Sequence, residues 1–223
     1  MNNSNFFKFK NDKTIDILKG WNKSSIIKLK IYRNEKKDFE DFLKIDENLR
    51  NNEKLLIINK GKVNITIDQK NFEMINLDTL NLFSNNKEIE ILALEDSEIY
   101  LICSLKKDQT SGKPIFFNFK KDINPKNLWG GKCISRVYYG KELNLVMFDL
   151  KKGFKFHDDG HKNEQITWLL SGEMEFYAEK KKKLLKVDEG ISIGKNHFHG
   201  GISNGAIGFD AFFPKRDETR YKN

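Results

Sequence analysis

Residues 153 to 176 read GFKFHDDGHKNEQITWLLSGEMEF, so two histidines, two aspartates, a glutamate and a glutamine crowd in front of an apolar run. In an extended strand, side chains two apart share a face, which points His157, Asp159 and His161 the same way. After a turn at Lys162 and Asn163, Gln165 begins the next strand on that face, and Glu164 points to the other. A further donor comes from GISIGKNHFHGGISN at 190 to 204, where a strand and a Gly-Lys-Asn turn precede His197 and His199. Three imidazoles and an amide oxygen converging on one spot suit a divalent transition metal (Fe, Zn, Ni, Mn or Co) with coordination positions left open. The competing reading is a polar loop that merely leads into a strand.

The elements that must position these residues repeat along the chain. FKFKNDKTIDILKGW at 7 to 21 echoes FNFKKDINPKNLWGG at 117 to 131, and Phe9 and Phe119 lie 110 apart by subtraction. KLLIINKGKVNITI at 54 to 67 matches QITWLLSGEMEFYA at 165 to 178, with Gly61 and Gly172 separated by 111, and SEIYLICS at 97 to 104 resembles AIGFDAFF at 206 to 213. Self-similarity at one period marks a duplicated unit. Within each unit, short runs such as IIKLKIY, LNLVMFDL and MEFYA are rich in β-branched and aromatic residues and are bounded by Gly, Asn, Asp and Lys turns. That pattern predicts an all-β sandwich or barrel. One exception, EKKDFEDFLKIDENL at 35 to 49, has the apolar spacing of a short amphipathic helix.

These motifs resemble the cupin superfamily. The family's first motif has two His, then Glu or Gln, then Gly; here His161 precedes Gln165 by four residues and Gln165 precedes Gly172 by seven. ISIGKNHFHGG resembles the second motif, which makes His199 the expected metal ligand, and FDAFFPKRDE resembles the ending of many small cupins. The family normally writes His-x-His, whereas this chain writes His157-Asp-Asp-Gly-His161. Either a two-residue bulge lets His157 reach the metal, or Asp159 is the ligand and His157 sits beside it. Phe156-His157 followed by KNEQI is similar to the bicupin isomerases of bacilysin biosynthesis and favours the bulge.

The resemblance covers both repeats and implies a bicupin, two tandem jelly-roll barrels over 1 to 112 and 113 to 223. A shift of 111 from His161 and Gln165 falls on Arg50 and Lys54, and no histidine precedes His157. The first barrel is therefore expected to hold no such metal site and to serve packing or dimerisation, or to offer an anion pocket lined by Arg50 and Lys54. For the second barrel, relatives of the bacilysin and pectin-degradation types imply an isomerase or tautomerase acting on a small keto acid, uronate or sugar derivative. Metal-dependent oxygen chemistry is the second class, and non-catalytic metabolite binding the third. Weaker expectations are His197 or Asp159 as the acid or base, Arg216 as a clamp for a substrate carboxylate, and Trp168 and Tyr177 as substrate contacts or core aromatics.

Composition sets the outer bounds. The chain has 223 residues, 40 Lys and Arg against 32 Asp and Glu, a net charge of +8 and 18 Phe, with a mean hydropathy of −0.64. Eighteen Phe supply a core, so the chain reads as globular. Its scattered charge and lack of basic motifs with interleaved aromatics speak against nucleic acid as a partner. The run EKKKK at 179 to 183 reads as a solvated hairpin tip. No apolar stretch suits a membrane span, no secretory signal pattern opens the sequence, and Cys103 and Cys133 stand far apart. The expected setting is a reducing cytoplasm, with an anionic or sugar-like small molecule as partner and a possible homodimer.

Overall fold

A computed structural model describes residues 4–10, 13–19, 24–38, 52–84, 88–104 and 111–216. Among these residues every regular element is a strand and there is no helix. The expected helix over 35 to 49 begins instead as a three-residue strand, Lys36–Asp38, and the rest of that segment lies outside the described residues.

The chain divides into two compact units, one containing Lys10–Lys19 and Ser24–Asp122, the other containing residues up to Phe9 and from Ile123 onward. The strands are, in chain order, β1 Asn5–Lys8, β2 Ile15–Lys19, β3 Ser24–Ile31, β4 Lys36–Asp38, β5 Lys54–Lys60, β6 Val63–Ile67, β7 Lys70–Met74, β8 Asp78–Leu82, β9 Ile89–Ala93, β10 Ser97–Ser104, β11 Ile115–Asn118, β12 Lys126–Leu128, β13 Cys133–Tyr139, β14 Asn144–Leu150, β15 Lys155–Asp158, β16 Glu164–Ala178, β17 Lys181–Leu185, β18 Glu189–Ile193 and β19 His199–Phe213.

In the first unit a six-stranded sheet, β11-β8-β5-β10-β3-β2, and a four-stranded sheet, β4-β9-β6-β7, share one core. The strict alternation of β6 and β9 turns Val63, Ile65, Ile67, Ile89, Ile91 and Ala93 inward. Each such valine or isoleucine side chain contributes about 1.5–3 kcal/mol by leaving water. The hydrophobic cluster between the two sheets is built mainly from aliphatic side chains. Lys54, one of the two cations expected to line an anion pocket, is buried. Its ammonium donates to the Asn52 carbonyl at 2.7 Å, and its pKa is lowered, first by loss of hydration. Arg50 lies outside the described residues.

The second unit is one nine-stranded sheet in the order β1-β18-β16-β19-β14-β13-β12, with β15 paired to β19 and β17 to β16. β16 and β19 are each 15 residues long and pair along almost their whole length. The sequence reads ITWLL and MEFYA as separate strands, but they join through a double register shift around Ser171 and Gly172. Gly172 takes φ +73°, and a side chain there would meet the Gly205 carbonyl. Only glycine tolerates both conditions. Gly61, 111 residues earlier, has φ +80° and is equally hemmed in by Asp96 and Ser97.

The leading strands of the two repeats are exchanged. β1 adds onto β18 and β11 adds onto β8. Asn5 and Ile115 are 110 apart, and Asp78 and Glu189 are 111 apart, so equivalent strands pair across opposite repeats. The compact units therefore do not follow the sequence boundary at 112 and 113: residues up to Phe9 join the second unit, and 113–122 join the first.

Candidate metal centre

β15 is short and regular. Lys155, Phe156, His157 and Asp158 pair in register with Ile202, Gly201, Gly200 and His199 of β19, with no bulge. Phe156 packs on the interior rings of Phe154 and Phe176, and the two-residue period then turns Asp158 inward and His157 outward. On the outer face His157 stacks on Tyr177, its Nδ1 lies 2.8 Å from the Tyr177 hydroxyl, and its Nε2 lies 2.9 Å from Asp159. Gly200, which separates their strands, makes this reach possible: a side chain there would collide with the Tyr177 hydroxyl. The Asp159 side chain is 97% exposed.

Asp158, His161 and His199 come together instead. Each offers one ligand atom, and these atoms lie within 4.8 Å of one another. Asp158 is the last residue of β15 and stands directly opposite His199. Its Oδ1 accepts from the Gly160 amide at 2.9 Å, which turns the chain sharply. Gly160 adopts φ +108°, with its α-carbon so close to the Asn196 backbone that a side chain would clash. His161 follows, its carbonyl accepting from the Asn196 amide at 2.7 Å. The 158–161 and 194–197 loops are thus fastened together at the point where the three donors meet.

The hydrogen bonds fix which atoms face the centre. His199 Nδ1 donates to the His197 carbonyl at 2.9 Å, leaving Nε2 as its ligand nitrogen, the arrangement that orients metal-binding imidazoles. Gln165 Nε2 donates to Thr167 Oγ1 at 2.9 Å and to Asp210 Oδ1 at 3.0 Å, and Thr167 donates to the same oxygen at 2.6 Å. The amide oxygen of Gln165 is thereby turned toward His161, whose Nε2 lies 3.0 Å away. His161 Nδ1 is buried and has no hydrogen-bond partner.

Electrostatics favour the ligand forms. Burial pushes the His161 pKa down to about 4, and the Arg216 charge adds to the shift. Burial also lowers His199. Both imidazoles are therefore neutral near pH 7, as metal ligation requires. Burial alone would raise the Asp158 carboxyl, but the hydrogen bond and charge of Arg216, with the Gly160 amide, hold it well below the usual carboxylate range. Arg216 donates to Asp158 Oδ2 at 2.7 Å and lies over the Phe212 ring. Two neutral imidazoles, one carboxylate and an amide oxygen fit a first-row divalent cation, with His161 Nε2 and the Gln165 oxygen adjacent at 3.0 Å.

A cavity of about 220 Å³ opens onto this cluster and is lined by Asp158, Gln165, Thr167, His199, Asp210 and Arg216 together with a wall of apolar side chains. The residues expected from the sequence divide accordingly. His161, Gln165 and His199 meet at the centre. His157 borders the cavity, but both ring nitrogens are engaged on the outer face, and Asp159 reaches into solvent. His197 is held by Ser4 Oγ at 3.0 Å, with Glu179 at 3.5 Å, and is not part of the cavity lining. Arg216 lines the cavity with its guanidinium committed to an internal carboxylate. Trp168 is fully buried against Phe209, and Tyr177 sits outside with His157. Asp158, Thr167 and Asp210 were not singled out in the sequence. The signal for Asp158 was there: Phe154 and Phe156 set the inward parity that Asp158 continues.

No protein-family model matches the chain, and no curated protein matches it in sequence. Solved structures do match in fold. A Pseudomonas aeruginosa protein named for induction by glyoxylate has a TM-score of 0.74 at 11% identity, covering 97% of this chain and 83% of that one. A cupin 2 conserved barrel domain protein from Leptotrichia buccalis gives 0.61 at 15%, covering 96% and 89%. Oxalate decarboxylase from Bacillus subtilis gives 0.69 at 10%, covering 96% and 78%. The chain therefore has an all-β cupin fold.

Proposed function

We propose that this protein is a bicupin whose second barrel binds a divalent transition metal through Asp158, His161 and His199, with Gln165 as a fourth donor, and isomerises a small carbonyl compound. The observation that carries the reading is the convergence of the Asp158, His161 and His199 donor atoms beside a cavity that Asp158 and His199 line. The Mn(II) centres of the oxalate decarboxylase that shares the fold are a precedent for metal in such a barrel. A bound cation would act as a Lewis acid on a carbonyl oxygen.

This chain's own residues supply the rest. Asp158, anchored by Arg216 and Gly160, would bring one negative charge to the cation, and the two neutral imidazoles none. Asp210 lines the same cavity without belonging to the donor cluster. Its carboxylate, positioned by Thr167 and Gln165, would take the proton from the carbon beside the carbonyl to give the enolate and return it to the far carbon of a conjugated double bond, so that the double bond shifts toward the carbonyl. The test is exchange in D2O: proton signals beside the carbonyl of a keto acid should wash out in NMR with wild-type protein. Asp210→Asn should slow that loss by roughly 100-fold while keeping its metal. Full metal content with no exchange, for keto acids and uronates alike, would overturn the isomerase reading.

One observation favours a second reading. Two histidines and a carboxylate form the donor set of iron oxygenases, and Asp158 supplies that carboxylate. Substrate-dependent oxygen uptake by the Fe(II)-loaded protein would select it over isomerisation.

A further inference from the structure

Asp158, Gln165, Thr167, Asp210 and Arg216, which line the cavity, belong to one bonded network. Arg216 holds Asp158, His161 holds Gln165, and Gln165 and Thr167 converge on Asp210. Away from this network the lining also holds Cys133, Ser135, Lys155 and aliphatic side chains, and along one side it is a run of aromatic rings. Trp129 packs against Phe154 with ring centres 5.2 Å apart, Phe154 stacks on Phe156 at 6.2 Å, and Phe156 meets Phe176 edge-on at 5.8 Å. Phe176 lies nearly parallel to the His199 ring, at 6.1 Å and 8°. All five rings line the cavity. They run from the surface to the metal cluster, because Trp129 is 49% exposed whereas His199 is buried.

The outer end of this wall is built in an unusual way. Trp129 has φ +51°, and Gly130 and Gly131 follow at +66° and +78°. Three successive left-handed residues, one of them bulky, are costly to form and cluster where function requires them. Nothing lies within 4 Å of a side chain built at either glycine, so both glycines face open space beside the indole that Trp129 presents to the cavity. A large exposed aromatic at a pocket mouth is a binding feature rather than core.

Resting on the metal reading above, we infer that the substrate is a compact oxy-acid or keto acid with a flat, unsaturated apolar body, and that Trp129 determines its selection. The body lies along the aromatic wall, and the oxygen-bearing head reaches Asp158, His161 and His199. A uronate or other sugar lying along this side would set its ring hydroxyls against phenylalanine faces, where they lack partners. A cavity of about 220 Å³ admits one such small molecule and not an oligomer.

Calorimetric titration of Mn(II)-supplemented protein with benzoylformate, oxalate and galacturonate tests this, with metal content measured on each sample. Benzoylformate should bind at least tenfold more tightly than the other two. Trp129→Ala should lose tenfold or more toward benzoylformate and leave oxalate unchanged, whereas Trp129→Phe should keep most of the affinity. A preference for galacturonate or oxalate, or a Trp129→Ala protein that binds benzoylformate like wild type, overturns the inference. If wild-type protein holds no metal, the metal reading falls separately: Trp129-dependent benzoylformate binding to that protein still supports the aromatic wall, and its absence overturns it.

Discussion

At the scale of residues, the site depends on parity and on one glycine. His157, Asp159 and His161 fall at even spacing, and a continuous strand would carry all three to one face. The strand ends at Asp158, however, so spacing beyond it no longer reports direction. His161, Gln165 and His199 were legible because each sits where a regular strand or the family motif fixes it. Asp158 was not, because its role depends on where pairing stops and on a turn made by Gly160. Replacing Gly160 by Ala would force a side chain into the Asn196 backbone at φ +108°. We expect a loss of about 1–3 kcal/mol in denaturant unfolding, with reduced metal content. Protonation gives a second prediction at this scale. His161 is held near pKa 4 in the folded protein against about 6.5 unfolded, so the unfolded chain takes up the proton first as the pH falls. Metal-free protein should be fully stable above pH 6.5 and lose roughly 2 kcal/mol between pH 6.5 and 4, a slope that His161→Gln should flatten.

At the scale of elements, alternation and β-branched runs revealed most of the long strands, and Gly61 and Gly172 marked the equivalent corners of both repeats. The short strands stayed hidden. NFFK and IFFN have too few residues to show a period, and their partners lie far away in sequence. The exchange of β1 and β11 likewise had no local signature, since a repeat reports similarity and not which copy a strand joins. β1 is tied to the second unit by its pairing with β18, by Ser4 at His197, and by Lys181 donating to the Ser4 carbonyl at 2.7 Å. Deleting residues 1–8 should therefore lower the melting temperature and weaken metal retention. Unchanged metal binding in that deletion would mean that β1 does not support the 194–199 loop.

At the scale of the whole molecule, the first unit carries a mainly aliphatic core and the second carries the cavity beside the metal cluster. The sequence signalled this through its histidines, all four of which fall in the second half. What it could not convey was the aromatic wall, because Trp129, Phe154, Phe156 and Phe176 reach the cavity from a turn, a loop and two strands. The division of labour predicts that Ile65→Ala, in the first unit's core, costs about 2–5 kcal/mol of stability but leaves the metal content of the folded protein unchanged. The claim on which the account turns is the identity of the donor set, and metal analysis of purified variants tests it most directly. Wild-type protein supplemented with Mn(II) should hold about one ion per chain. Asp158→Asn, His161→Ala and His199→Ala should lose it, and His157→Ala and Asp159→Ala should keep it. Metal retained by Asp158→Asn but lost from His157→Ala or Asp159→Ala would contradict the account.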